Sequence, residues 1–149
     1  MIQKEHIEQF FGTSKIAVVG ASRNKHKFGN MIFSGLQKRG YNVIPVNPFA
    51  EEIEGVKCKK SIAELDSSDT ALVLVTHRNE TDAIADLAIK LGFTQLWIQT
   101  DCDTENTPLL AQNKKLNIIY KLCILMLMKP KSDERIQQII NKANVNPNE

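Results

Sequence analysis

The sequence predicts an α/β fold in three layers, with a mostly parallel sheet of about five strands flanked by helices. Two observations lead to this prediction. Short, continuously apolar runs alternate along the chain with segments whose apolar residues recur at helical spacing. The runs also lack the apolar–polar alternation of a half-exposed sheet, which is typical of parallel strands that helices cover on both faces. Together these features indicate a Rossmann-like arrangement.

The predicted strands follow the apolar runs. The first covers residues 15–19 and ends at Gly20, and a polar loop follows it. The other four cover residues 41–46, 71–75, 95–99 and 117–120.

Two helices follow from apolar spacing. Phe28, Ile32 and Leu36 recur every four residues, and Gly40 then suits the left-handed backbone that ends a helix. A more regular pattern defines one face of a later helix by four residues, which are Ile84, Leu87, Ala88 and Leu91.

Helices are also predicted near both ends of the chain, at residues 2–11 and 132–143, where they would close the core. Residues 144–149 are interpreted as a polar tail that frays. A further helix would begin with Pro108 at its first position, capped by one of two residues, Thr104 or Thr107.

The segment between the second and third predicted strands has no apolar period. Residues 51–60 are charged and are interpreted as an irregular, solvated connector. Ser61 and Glu64 then match a capping box for a short helix.

The composition excludes several classes of protein. With 149 residues, of which 42% are hydrophobic and 24% charged, the chain suits one globular domain over residues 1–149. A net charge of +2 is too small to indicate nucleic acid. No apolar run approaches the roughly 20 residues that span a bilayer. Since no secretory signal is recognisable, we expect a cytoplasmic protein.

Residues that carry chemistry elsewhere form no recognisable motif here. The three cysteines lack Cys-x-x-Cys spacing, so neither a disulfide framework nor a zinc site is indicated. His6, His26 and His77 belong to no nucleophile or metal motif, and His77 is interpreted as structural or ligand-lining. We therefore expect no catalytic residue and no metal.

The loop after the first predicted strand has the features of a phosphate site. Gly20 lets the backbone turn close to a phosphate, Ser22 adds a hydroxyl, and the next helix aims free amides at the same place. Arg23, Lys25 and Lys27 would neutralise a pyrophosphate. The alternative is a surface loop with solvated charges, but ligands of open parallel sheets bind at such strand ends.

The dinucleotide fingerprint G-x-G-x-x-G is absent, because Gly20 is followed only by the distant Gly29. An NAD site also has an acidic residue after the second strand for the ribose hydroxyls, where this chain has Asn47 and Pro48. A carboxylate there would repel a ribose phosphate. Its absence favours a ligand with a phosphorylated ribose, such as coenzyme A or NADP.

Several strings in order resemble one family. They are IAVVGAS at residues 16–22, VIPVNP at 43–48 and SIAEL at 61–65, with further likeness at 97–99 and 123–126. This set is similar to the stand-alone CoA-binding protein family, which is related to the amino-terminal domain of the succinyl-CoA synthetase α subunit.

The resemblance implies a site for CoA, with Gly20, Ala21 and Ser22 on its phosphates and Val46 and Pro48 beside its adenine. It also implies that four later residues complete the adenine pocket or line the path of the pantetheine arm, namely Val75, Thr76, Ile98 and Gln99. Charge and position at the same sheet edge add Arg23, Lys25, Lys27, Asn47, His77, Arg78 and Thr100.

The leading hypothesis is a non-catalytic binding or regulatory module for CoA or an acyl-CoA, without nucleic acid or membrane partners. The alternatives are an NADP- or NAD-dependent oxidoreductase or redox sensor, and an interaction protein whose pocket has degenerated. A protein partner and the oligomeric state stay open.

Four aromatic residues and one cysteine need a prediction of their own. Trp97 and Tyr120 are expected in the core, and packing is expected for Phe28 and Phe49. Cys123 is either a buried small apolar residue or lies near the thiol of bound CoA, where it would form a mixed disulfide.

Overall fold

A computed structural model of the protein describes residues 2–128 and 132–145. Its strands are β1 (Lys15–Val19), β2 (Val43–Val46), β3 (Glu52–Ile53), β4 (Val56–Lys57), β5 (Thr70–Leu74), β6 (Gln95–Ile98) and β7 (Asn117–Ile119). Five of them form one sheet in the order β2-β1-β5-β6-β7, and every neighbouring pair is parallel. The predicted α/β, Rossmann-like fold is confirmed.

Helices cover this sheet on both faces. They are α1 (Lys4–Phe11), α2 (Phe28–Lys38), α3 (Arg78–Lys90), α4 (Thr107–Ala111) and α5 (Asp133–Val145). Two short 3-10 helices cover Ile62–Glu64 and Ile124–Met126.

Side chains alternate between the two faces of β1. Ile16 and Val18 belong to the cluster that packs with α1, α2 and α5. Ala17 and Val19 belong to the cluster that packs with α3. Because both faces are covered, the strand is apolar at successive positions, as its sequence predicted.

Trp97 in β6 anchors α1 to the sheet. The indole is fully buried, and its Nε1 donates a hydrogen bond to Leu122 O at 2.9 Å. The Phe10 ring meets the indole edge to face, with centroids 5.2 Å apart. The prediction that Trp97 is a core residue is confirmed.

The predicted apolar face of α3 is wrong in part. Leu87 and Leu91 are 40% and 38% exposed, whereas Thr81, Ala85 and Ala88 are buried. Small side chains at this spacing let the helix lie close to the sheet, so they occupy the inner face and the larger leucines turn outward.

Residues 51–60 are more regular than predicted. Strands β3 and β4 pair as a hairpin. Its two-residue turn has positive φ at Glu54 (48°) and Gly55 (80°), which is the backbone of a type I′ turn. Farther along, Lys59 joins the edge of β2, since its N donates to Pro45 O and its O accepts from Asn47 N, both at 2.9 Å.

Two helix starts differ from their predictions. Helix α4 begins at Thr107 with Asn106 as its N-cap, so Pro108 is its second residue. The Ser61 side chain caps the short helix by accepting from Ala63 N at 3.2 Å instead of Glu64 N, and Glu64 Oε2 accepts from Lys60 N instead of Ser61 N. Ser61 is therefore a helix cap, but the predicted capping box does not form.

The carboxyl-terminal helix is longer than predicted and reaches Val145. Asn144, predicted to lie in a frayed tail, exchanges hydrogen bonds with the main chain of Ile2 at 2.8 and 3.3 Å. The rest of that predicted tail, residues 146–149, lies outside the described residues.

Gly20 and Gly40 both have positive φ, 95° and 88°, but they differ in surroundings. A Cβ on Gly20 would overlap the carbonyl of Val75, whereas a Cβ on Gly40 would meet nothing within 4 Å. We expect Gly40→Ala to cost about 1 kcal/mol of unfolding free energy and Gly20→Ala at least about 2 kcal/mol more. Urea unfolding followed by Trp97 fluorescence measures both, and equal costs would contradict the clash.

Candidate functional site

The carboxyl ends of β1 and β5 form the switch point of the sheet. After β1 the chain moves outward to β2, and it then returns to β5 on the other side of β1. Open parallel sheets bind ligands at this place, because the loops on either side diverge and leave a crevice. The Gly20 turn lies here: Gly20 N donates to Val46 O at 3.2 Å, and Val75 N donates to Val19 O at 2.8 Å.

Helix α2 starts in direct backbone contact with this turn. A Cβ on Gly29, the second residue of α2, would overlap the carbonyl of Gly20. A side chain would therefore force the helix away from the strand end. The two glycines serve close packing of strand and helix, although they stand nine residues apart and do not match the dinucleotide spacing.

Ser22 and Asn30 hold the loop in one conformation. The Ser22 hydroxyl accepts from Asn24 N at 3.0 Å. Asn30, which is 4% exposed, donates through Nδ2 to Ser22 O at 2.9 Å and to Glu54 Oε1 at 3.0 Å. The hairpin of β3 and β4 thus braces the loop from behind, with Glu54 at its tip.

Several main-chain amides around this turn have no hydrogen-bond acceptor in the part of the chain that the structure describes. Among the described residues, the amides of Ser22, Phe28 and Gly29 donate no hydrogen bond, while Asn30 N and Met31 N already turn back to Lys27 O. Free amides at the first turn of a helix carry partial positive charge and bind anions. The arrangement can therefore hold a phosphate group.

The loop also carries the expected cations. Arg23, Lys25 and Lys27 are all exposed. Within the described part of the chain, none of them forms an ion pair with a carboxylate. Their charge is available to an anion from solution.

Asn47 connects the end of β2 to the loop. Its Nδ2 donates to Ala21 O at 2.9 Å, and its Oδ1 accepts from Phe49 N at 2.7 Å and from Ala50 N at 3.0 Å. Val46 is buried and Pro48 is exposed beside it. The predicted residues at the ends of β1 and β2 thus lie together.

We compared the sequence with known protein families. The CoA binding domain family matches residues 14–129 of this sequence. The chain belongs to the CoA-binding domain family. The expected membership of a CoA-binding family is confirmed.

Relatives of this CoA-binding domain protein occur both as short chains and inside larger ones. The uncharacterized protein YneT of Bacillus subtilis is 29% identical over 122 residues, which cover 81% of this chain and 90% of YneT. The alpha subunit of ADP-forming acetate–CoA ligase II from Pyrococcus furiosus is 39% identical over 71 residues, 46% of this chain. That match spans only 16% of the ligase subunit.

Solved structures agree with the fold. A conserved hypothetical protein from Pyrococcus furiosus has a TM-score of 0.72 and 35% identity, over 76% of this chain and 98% of that one. A hypothetical protein from Pyrococcus horikoshii has a TM-score of 0.74 and 25% identity, over 94% and 93% of the two chains. Neither the family nor these relatives support the oxidoreductase alternative.

The later strand ends of the CoA-binding domain lie beside the loop but differ in accessibility. Val75 and Thr76 are half-buried, and Thr76 shares a 2.7 Å hydrogen bond with Thr81. His77 and Arg78 are exposed where α3 begins. Arg78 Nε donates to Asp101 O at 3.0 Å, which fixes the arginine over the end of β6.

At the end of β6, two predicted site residues are buried in the core. Ile98 is 1% and Gln99 3% exposed. Gln99 donates through Nε2 to Cys123 Sγ at 3.0 Å and accepts from Ile124 N at 3.1 Å. Thr100 is exposed at the same strand end, so its side chain is the accessible one there.

The packing roles predicted for two phenylalanines are wrong. Phe49 is 90% and Phe28 57% exposed. Phe49 follows Asn47 and Pro48 at the end of β2, and Phe28 is the first residue of α2. Both rings therefore border the loop instead of the core.

Sequence analysis also missed a cleft of about 650 Å³ over the ends of β6 and β7. Arg78, Asp103, Tyr120 and Lys121 are among its lining residues. Tyr120, predicted to lie in the core, is half-buried and faces this cleft. Lys121 has a left-handed backbone (φ 64°) and pairs with Asp103 at 3.3 Å, a turn that apolar periodicity does not reveal.

The three thiols differ in environment. Burial raises the pKa of Cys58 and of Cys102, which are 5% and 8% exposed. Cys123 is half-buried at the sheet edge, with Gln99 as its hydrogen-bond donor.

In residues 2–128 and 132–145 no group of histidine, cysteine and acidic residues is arranged to hold a metal ion. The helices of those two ranges are also too short or too polar to cross a membrane.

Replacement of Asn47 tests the link between the strand ends. Asn47→Ala removes three hydrogen bonds, so we expect a loss of about 2–3 kcal/mol in unfolding free energy. Asn47→Asp keeps both acceptor bonds but places a carboxylate oxygen against Ala21 O, so it should also destabilise the protein although only one bond is lost. Asn24→Ala, which removes one exposed bond to His26 N, is the matched control. Chemical denaturation in which Asn47→Ala costs no more than this control would refute the link.

Proposed function

We propose that this CoA-binding domain protein binds coenzyme A or an acyl-CoA at the carboxyl ends of β1, β2 and β5, as a non-catalytic binding or regulatory module. The proposal rests on the amides of Ser22, Phe28 and Gly29, which donate no hydrogen bond among the described residues, and on three neighbouring cations that form no ion pair there. A pyrophosphate is the ligand group that such a cradle suits best.

The ligand would lie across the switch point. Its pyrophosphate occupies the turn of Gly20, Ala21 and Ser22, with Arg23, Lys25 and Lys27 around it. The adenosine then extends toward Val46, Asn47 and Pro48, and the pantetheine arm passes the ends of β5 and β6. No carboxylate stands directly after β2, which suits a phosphorylated ribose.

The sizes of the relatives support a module. The likeness to the acetate–CoA ligase subunit is limited to 16% of that subunit, whereas YneT is matched over 90% of its length. The ligase subunit therefore shares only one segment with this chain. We infer that this chain performs the binding step alone.

Charge at Ser22 tests the phosphate site. Ser22→Glu puts a carboxylate where the pyrophosphate lies, so we expect at least about tenfold weaker CoA binding. Ser22→Gln has the same shape without the charge and should lose less. Calorimetric titration of both variants and the wild type with CoA, NAD and NADP measures the effect.

The wild type should bind CoA in preference to both dinucleotides. Equal indifference to all three compounds would remove the proposed function. Equal weakening by the two Ser22 variants would show that the pyrophosphate lies elsewhere.

Oxidised CoA tests the position of the thiol end. The Cys123 thiolate would attack the disulfide of oxidised CoA, so that a mixed disulfide forms and one CoA leaves as its thiolate. Cys58 and Cys102 are internal controls, because burial raises their pKa and leaves less thiolate. We expect one adduct by intact mass at pH 8, mapped to Cys123 and absent in Cys123→Ser. An adduct on a buried cysteine, or none, would contradict this placement.

A further inference from the structure

Two side chains at the end of β2 take no part in the phosphate cradle described above. They are Phe49 and Lys60. The hairpin of β3 and β4 separates them in sequence, and Lys60 returns to the carbonyl of Ala50, the residue after Phe49. Phe49 presents a ring that is 90% exposed, although a phenyl group gains free energy by burial. Lys60 reaches the same turn from the segment that returns along the edge of β2.

The backbone below the Phe49 ring is held by hydrogen bonds. Phe49 N donates to Asn47 Oδ1 at 2.7 Å, and Ala50, which is 3% exposed, makes the second bond to the same oxygen. Asn47 is bound in turn to Ala21 O. An aromatic ring on a fixed backbone, next to the cradle, can stack on a planar ligand at a low cost in conformational entropy.

The ammonium of Lys60 lies over this turn. Its Nζ donates to Ala50 O at 3.1 Å and lies 3.5 Å from Glu51 Oε1. The Lys60 side chain is 44% and that of Glu51 85% exposed. An ammonium has three donors, and a pair this exposed contributes little, so a phosphate dianion can displace Glu51.

Arg23 connects this corner to the phosphate loop. Burial raises the pKa of the Cys58 thiol, while the charges of Lys60 and Arg23 lower it and those of Glu51 and Glu52 raise it. Lys60 and Arg23 therefore approach the same buried side chain from two different segments. The cations at the end of β2 therefore lie among acidic residues, and the carboxylate paired with Lys60 is 85% exposed and can be displaced.

We propose that Phe49 and Lys60 form the subsite for a 3′-phosphorylated adenosine, with the ring of Phe49 against the adenine and the ammonium of Lys60 on the ribose phosphate. In sheets of this type the ribose lies after the second strand, where a carboxylate would bind its hydroxyls. Here Asn47 occupies that position and a cation stands beside it. This inference rests on the proposed function, because it assigns the part of CoA that the phosphate loop does not contact.

Calorimetry with CoA and dephospho-CoA at one ionic strength tests the subsite. The wild type should bind CoA about tenfold more tightly than dephospho-CoA. Lys60→Gln should reduce this ratio to near unity without changing the affinity for dephospho-CoA, and Lys60→Arg should restore it. Phe49→Ala should weaken both ligands alike by about tenfold, because both contain adenine. Phe49→Tyr should retain the binding.

Lys90→Gln is the matched control. It removes the same charge from the last turn of α3, at the opposite edge of the sheet, and should leave every affinity unchanged. A wild type that binds both ligands equally, or a Lys60→Gln variant that weakens both equally, overturns the subsite while CoA binding stands. Equal affinity of Phe49→Ala and the wild type for both ligands overturns the stacking role. A wild type that binds neither ligand overturns the proposed function as well.

Discussion

Three backbone segments meet at Gly20 with no side chain between them, and the site depends on this close approach. The end of β1, the start of α2 and the residue after β5 lie so near that a methyl group on Gly20 or on Gly29 would overlap a carbonyl. Because no side chain separates them, the amides of the first helical turn lie next to the strand end. The same contact directs α2 back across the sheet. The close approach of Gly20 and Gly29 therefore determines both where the free amides lie and how α2 packs on the core.

Around this contact, polar side chains position the loops. Asn30 and Asn47 each bond to the main chain of the loop, one from the helix and one from the end of β2. Asn30 is buried and Asn47 half-buried, so both hydrogen bonds form where water competes poorly. These bonds give the loop a defined conformation in the absence of a ligand, and a preorganised loop loses less entropy on binding.

Much of the architecture could be predicted because its causes are local. Continuous apolar runs mark buried parallel strands, and β1 begins and ends where its run does. Gly20 was recognisable because a strand that is followed by a glycine and several cations predicts a phosphate-binding turn at the sheet edge. Helix α3 shows the limit of this reasoning. Periodicity located the helix, but the small side chains of Thr81, Ala85 and Ala88 pack against the sheet, and the larger leucines are exposed.

The features that escaped prediction depend on partners distant in sequence. Gln99 can be buried because its side-chain amide forms hydrogen bonds with Cys123 and Ile124. The sequence around Gln99 does not indicate these partners. The exposure of Phe49 likewise follows from the path of the backbone at Asn47, since an apolar residue after a strand normally suggests packing.

The outer edge of β2 is closed to other strands. Along β2 the main-chain groups point alternately toward β1 and away from it. The carbonyls of Asn42 and Val46 accept hydrogen bonds from the β1 segment, so the main-chain groups of Pro45 point away from β1. Proline has no amide hydrogen to offer, and its carbonyl already accepts from Lys59 N. An unpaired strand from a neighbouring molecule finds no ladder to extend at this position, which opposes edge-to-edge aggregation along β2.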